Sequence, residues 1–119
     1  MKRTLVIGAS ENPDRYSNMA IRSLRQHGHE VLAIGGREGS VEDVKIVNEK
    51  LSFHDIDTVT MYVGPQNQSG YYDYITGLKP LRVIFNPGTE NPAFEKTLEK
   101  SGIETIEACT LVLLSIGQY

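Results

Sequence analysis

Residues able to hold a charged ligand concentrate in one stretch of this chain, Gly8-Ala9-Ser10-Glu11-Asn12-Pro13-Asp14-Arg15-Tyr16-Ser17. A glycine at the mouth of a loop permits a sharp turn and lets backbone come close to a ligand. Ser10 and Ser17 offer hydroxyl donors, and the guanidinium of Arg15 is a planar fork suited to phosphate oxygens. A helix starting here would add free N–H groups and a partial positive charge, both of which favour an anion. This is the chemistry of phosphate binding, not of bond cleavage.

A second basic group, Gly35-Gly36-Arg37, closes the next apolar run. The Gly-x-Gly-x-x-Gly spacing of dinucleotide sites is absent, because Ser10 and Pro13 stand where its later glycines would be. A nicotinamide cofactor with a free ribose also wants Asp or Glu at the end of the second strand. Arg37 stands there instead and suits a phosphate on the ribose, as in NADP or coenzyme A, which argues against NAD.

Other reactive side chains lack partners. His27 and His29 flank Gly28 at the far end of the expected helix, and His54 lies in a weakly patterned stretch. With no acid paired to them, all three read as structural or solvated. Cys109 is the one cysteine, so no internal disulfide forms, and it reads as a small buried side chain rather than a reactive thiol. No Cys/His cluster has the spacing of a metal site. Tyr71, Tyr72 and Tyr74 read as helix packing and surface.

The elements that must position the loop follow from hydrophobic periodicity. Residues 4–7 are an apolar run ending at Gly8, the pattern of a strand buried on both faces. Ser17 stands at the N-cap of a helix running to about His27, with Met19, Ala20, Ile21 and Leu24 on its inner face. Gly28 suits the left-handed position that stops a helix. Residues 30–34 form a second strand. Within residues 38–57, Val44–Val47 fits a short strand or a linker, and residues 53–56 fit a single turn. Residues 58–63 form a β-branched strand ending at Gly64-Pro65. A helix over residues 67–77 then faces the core through Tyr71, Tyr74, Ile75 and Leu78, and Lys79-Pro80 stops it. Residues 81–85 are the next strand. Asn91-Pro92 opens a helix as N-cap and first helical residue, with Phe94, Thr97 and Leu98 inward and Gly102 at its end. Glu104–Glu107 reads as a strand and Thr110–Ser115 as helix or strand. Alternating strands and helices predict a doubly wound, Rossmann-like parallel sheet covered on both faces, a single three-layer α/β domain over residues 1–119.

The bulk properties agree. The 119 residues suffice to bury about two thirds of the unfolded surface. A formal net charge of −3 without a basic face argues against a nucleic-acid partner. No signal peptide or membrane span fits, so the expected location is cytoplasmic, and the single cysteine suits a reducing compartment. The apolar residues 111–114 suit either the core or a contact with a second copy.

The pattern Gly8-Ala9-Ser10-x-x-Pro13-x-Arg15-x-Ser17, followed by a helix to His27-Gly28-His29-Glu30-Val31, resembles the small CoA-binding domain proteins. These are single-domain relatives of the N-terminal domain of the succinyl-CoA synthetase α subunit. Val59-x-Met61-Tyr62-Val63-Gly64-Pro65, Phe85-Asn86-Pro87-Gly88 and Glu107-Ala108-Cys109-Thr110 are similar to the same family, so the resemblance covers nearly the whole chain. It implies that Gly8, Ala9, Ser10, Arg15 and Ser17 hold the pyrophosphate of coenzyme A. It places Gly35, Gly36 and Arg37 beside the adenosine part and Val63, Gly64 and Pro65 on another wall. One departure is that family members often carry Asn-Pro and a basic residue where this chain has Gly35-Gly36-Arg37. Two functions are thus expected. The first is non-catalytic binding of CoA or an acyl-CoA, as a homo-oligomer or beside a separate catalytic partner. The second is an NADP-type redox domain or fragment, which the missing glycines and the lack of catalytic residues downstream disfavour.

Overall fold

Side-chain alternation along the strands decides the layering. The computed structural model describes all 119 residues. In β1 (Thr4–Ala9), Leu5 and Ile7 point to one side of the sheet and Val6 and Ala9 to the other, all buried. Seven strands form one sheet: β2 (Val31–Gly35), β3 (Gly39–Val41), β4 (Val44–Val47), β5 (Thr58–Met61), β6 (Arg82–Phe85) and β7 (Glu104–Glu107) join β1 in the order β3-β4-β2-β1-β5-β6-β7. Every pairing is parallel except the β3–β4 hairpin at one edge. Helices α1 (Tyr16–Gln26) and α4 (Thr110–Ser115) cover one face through Ile21, Leu24 and Leu114, against Val6, Ala33 and Ile46. Helices α2 (Tyr72–Leu78) and α3 (Pro92–Lys100) cover the other through Ile75, Phe94 and Leu98, against Ile7, Met61 and Phe85. This is the expected Rossmann-like, three-layer α/β architecture.

Several local expectations change. Helix α1 begins one residue before Ser17: Arg15 occupies the cap position with no side-chain cap, and Ser17 is buried within the first turn. Its inner stripe is Ser17, Ala20, Ile21 and Leu24 at helical spacing, which turns Met19 outward to 38% exposure and brings the polar Asn18 inside. Residues 67–77 are not one helix. Two 3-10 turns, Pro65–Asn67 and Ser69–Tyr71, precede α2, because the side chain of Gln68 is drawn inward at 0% exposure. Tyr71, Tyr74 and Leu78 do pack on the core beside buried Ile75. Val44–Val47 is a strand, and β3 before it is an element not expected from the sequence. Residues 53–56 contain no helical turn, although Phe53 packs on the core.

Both glycine helix stops hold. Gly28 has φ 82° and His29 N–H donates to Leu24 O at 3.0 Å; Gly102 repeats this with φ 82° and Ile103 N–H donating to Leu98 O at 3.1 Å. Asn91 caps α3, its Oδ1 accepting from Phe94 N–H at 3.1 Å, with Pro92 first in the helix. Thr97 lies on the solvent side, its hydroxyl bonded to Ala93 O, so only Phe94 and Leu98 face the core. Thr110–Ser115 is helical, with Leu114 buried and Val112 52% exposed. No helix is long and apolar enough to cross a membrane.

Candidate functional site

The strands β1, β2, β5, β6 and β7 run parallel, so their following loops gather at one edge of the sheet. The chain leaves β1 for β2 on one side and later returns to β5 on the other, which makes a crevice at the reversal. Gly8 sits on it with φ 94°, where a Cβ would lie 3.0 Å from the carbonyl carbon of Tyr62 and 3.1 Å from Val63 Cγ2. The β1–β2 register also jumps at this point, between Ile7 and Ala9. Gly35 has a parallel duty: a Cβ there would stand 2.3 Å from Ala9 O.

The loop between β1 and α1 is wired internally. Ser10 Oγ accepts from Asn12 N–H at 3.1 Å, Asn12 Oδ1 accepts from Asp14 N–H at 3.0 Å, and Arg15 N–H donates to Asn12 O at 3.0 Å. Buried Asn18 fastens the loop from behind, its Nδ2 donating to Ser10 O at 3.0 Å while its Oδ1 accepts from Arg22 Nε at 2.8 Å. At the start of α1, the N–H groups of Asn18 and Met19 are taken by Arg15 O, whereas those of Tyr16 and Ser17 have no acceptor. Two free amides thus stand at the N-terminus of an 11-residue helix, on the crevice.

A cavity of about 460 Å³ fills the crevice, between Gly8, Ala9, Ser10, Arg15 and Ser17 on one side and Tyr62, Gly64, Pro87 and Gly88 on the other. A second, of about 400 Å³, continues past Ala9, Ser10, Arg15 and Gly36 to Arg37 and Glu38. Gly8, Ala9, Ser10, Arg15, Ser17, Gly36, Arg37 and Gly64 are therefore brought together around one open groove. Gly35, Val63 and Pro65 lie off its walls, with Gly35 packed on β1 and Val63 against the core. Arg15 and Arg37 are exposed and take part in none of the three ion pairs of the chain, Arg3–Glu30, Arg22–Glu42 and Arg25–Asp43. Acidic side chains also reach the groove: Asp14 on the first cavity, Glu11 and Glu38 on the second. The Glu11 carboxylate is engaged, accepting from Ser40 N–H at 2.9 Å.

The opposite wall depends on residues that the sequence did not bring forward. Gln68 Nε2 donates to Val63 O at 2.9 Å and to Thr89 O at 2.7 Å, and its Oε1 accepts from Asn91 Nδ2 at 3.0 Å. One buried amide thus ties the loop after β5 to the loop after β6 and to the cap of α3. Asn86, 2% exposed, does the same further in: its Nδ2 donates to Thr60 Oγ1 at 2.7 Å and Met61 O at 2.9 Å, and its Oδ1 accepts from Thr110 N–H at 2.9 Å. Tyr62 stands between the first cavity and a smaller one lined also by Pro87, Cys109 and Leu111, and its hydroxyl is buried without a partner. Burial pushes its pKa up, so the phenol stays protonated at neutral pH.

The histidines lie elsewhere. His29 Nδ1 accepts from Lys2 N–H at 2.9 Å and its ring packs on Tyr119, at the opposite end of the sheet; burial and nearby positive charge, including Lys2, hold its pKa below the ordinary value. His27 is exposed with Nδ1 2.7 Å from Ser23 O, and His54 is exposed in the connector before β5. Cys109 is not in the core. It is half-buried at the end of β7, on the wall of a small cavity beside Tyr62.

Known proteins share this fold. A solved structure of an uncharacterized protein is 48% identical over 100% of this chain and 98% of its own, with a TM-score of 0.97. A hypothetical protein from Pyrococcus horikoshii shares the fold at 24% identity and a TM-score of 0.84, over 93% of this chain and 80% of its own. A dinucleotide-forming acetyl-coenzyme A synthetase from Ca. Korarchaeum cryptofilum carries the same fold in 25% of its length, matching 88% of this chain at 16% identity and a TM-score of 0.70. No curated protein matches the chain. The model of the CoA binding domain family matches residues 2–115, so the chain belongs to that family.

Proposed function

We propose that the chain binds coenzyme A or an acyl-CoA, with the pyrophosphate over the start of α1 and the phosphorylated ribose near Arg37, and that it acts as a binding module. The observation that carries this reading is the uncapped helix start. The free amides of Tyr16 and Ser17 and the unpaired Arg15 stand at the centre of a groove that has Arg37 at one end. Such a terminus supplies donors and positive potential to a diphosphate without deep burial of charge. The groove has the size of a cofactor site, which typically spans roughly 300–1,000 Å³. Family membership supports CoA over other phosphorylated ligands.

Thermal unfolding with CoA, dephospho-CoA, NADP and NAD tests the reading. A ligand at one hundred times its Kd stabilises by about 2.7 kcal/mol, a rise of roughly 10 °C in Tm for a domain of this size. CoA is expected to give such a rise, dephospho-CoA a smaller one, and the nicotinamide cofactors little. Stabilisation by NADP without CoA would overturn the assignment.

A further inference from the structure

Beyond the groove lies a third cavity, of about 220 Å³, lined by Tyr16, Tyr62, Asn86, Pro87, Cys109 and Leu111. It shares Tyr16, Tyr62 and Pro87 with the central cavity, which in turn shares Ala9, Ser10, Arg15 and Gly36 with the one at Arg37. The three therefore stand in series, with the cations and free amides in the first two. The third contains no charged side chain. Its one amide, on Asn86, is already committed to Thr60, Met61 and Thr110. Of its two phenols, that of Tyr62 is buried beside Thr60 and Thr110 and stays neutral, and that of Tyr16 belongs to an exposed side chain. What the walls offer an occupant is mainly ring, aliphatic and thiol surface, with phenol hydroxyls as the uncommitted polar groups.

We infer that this chamber receives the acyl end of a CoA thioester, and that it selects a short, uncharged acyl group. The inference rests on the CoA reading, because an adenosine end near Arg37 and a diphosphate over α1 leave the pantetheine arm to run past Tyr62 and Pro87. At about 30 Å³ per water-sized group the chamber takes roughly seven heavy atoms, enough for the thioester and about four further carbons. A carboxylate at the end of the acyl chain would be desolvated there with no cation to pair with. A long chain would outgrow the chamber and leave its remainder in water. The adjoining thiol of Cys109 adds soft, weakly polar surface.

Calorimetric titration of the whole chain with CoA, acetyl-CoA, butyryl-CoA, succinyl-CoA and palmitoyl-CoA tests this, with a reductant present so that no disulfide forms at Cys109. Affinity is expected to rise about three- to fourfold per methylene from acetyl to butyryl. Succinyl-CoA should bind at least about tenfold more weakly than butyryl-CoA, and palmitoyl-CoA should gain nothing over butyryl-CoA. Cys109→Phe, which narrows the chamber, should bring the butyryl-CoA to CoA affinity ratio towards one, whereas Cys109→Ser should preserve most of it. Equal affinities for CoA, butyryl-CoA and succinyl-CoA would overturn the acyl assignment while leaving CoA binding intact. Failure of all five to bind would overturn both.

Discussion

At Gly8 the backbone has φ 94° and a Cβ would press on the Tyr62 carbonyl at 3.0 Å, while Gly88, with φ 91°, has open space around it. The pair separates conformational strain from close approach. Gly88→Ala should cost about 1 kcal/mol for its left-handed backbone alone, and Gly8→Ala about 2–3 kcal/mol because it must also push the β5 loop away. Urea unfolding of the two variants checks this, and equal costs would mean that Tyr62 yields freely. The two groove arginines divide differently. Arg15→Ala should weaken CoA and dephospho-CoA alike, by about tenfold or more as befits a lost charge-assisted bond. Arg37→Ala should erase the preference between them, and equal losses for both ligands on Arg37→Ala would refute its pairing with the ribose phosphate. Gly8, Ser10 and Arg15 were legible in the sequence because their types announce phosphate chemistry. Asn18 and Gln68 were not, since a polar residue inside a helical pattern looks like a solvated one until a backbone carbonyl is seen to need its amide.

Elements show the same divide. Strands β1, β2, β5 and β6 and the capped helix α3 follow from apolar runs, glycine stops and the Asn91-Pro92 pair, and they appear within a residue or two of their expected bounds. The β3–β4 hairpin was harder to read, because three residues of Gly39-Ser40-Val41 carry little periodicity and are held partly by Glu11 from a distant loop. Residues 65–71 break into 3-10 turns because the Gln68 knot sets the path, not helix propensity. Gln68→Leu should therefore strand the carbonyls of Val63 and Thr89 and cost about 2 kcal/mol or more, lowering CoA affinity as the far wall loosens; an unchanged Tm would contradict that role. Helix α3 and strand β7 carry a further signature. Burial and the neighbouring Glu107 carboxylate raise the pKa of Glu95. A raised folded pKa contributes stability below the unfolded value near 4.5 that is lost as pH rises through the folded value. Glu107→Gln should thus stabilise the chain at pH 7, with the advantage shrinking as pH falls through the folded value of Glu95 and gone below about 4.5. A difference independent of pH would contradict the pairing.

At the scale of the whole molecule, one edge of the sheet gathers the ligand chemistry and the opposite edge gathers structural contacts. His29 belongs to the second group. Its pKa is lowered on folding, so its contribution is present above the unfolded value near 6.5 and is lost as pH falls through the folded value. Acid therefore weakens that end through His29. An anionic ligand in the groove, as proposed, makes binding salt-sensitive. The most direct test is titration of CoA into the purified chain and into Arg15→Ala. One CoA per chain is expected, tightest at low salt and about tenfold or more weaker in the variant. No binding of CoA, or binding that the variant leaves unchanged, would contradict the placement of a diphosphate at the start of α1.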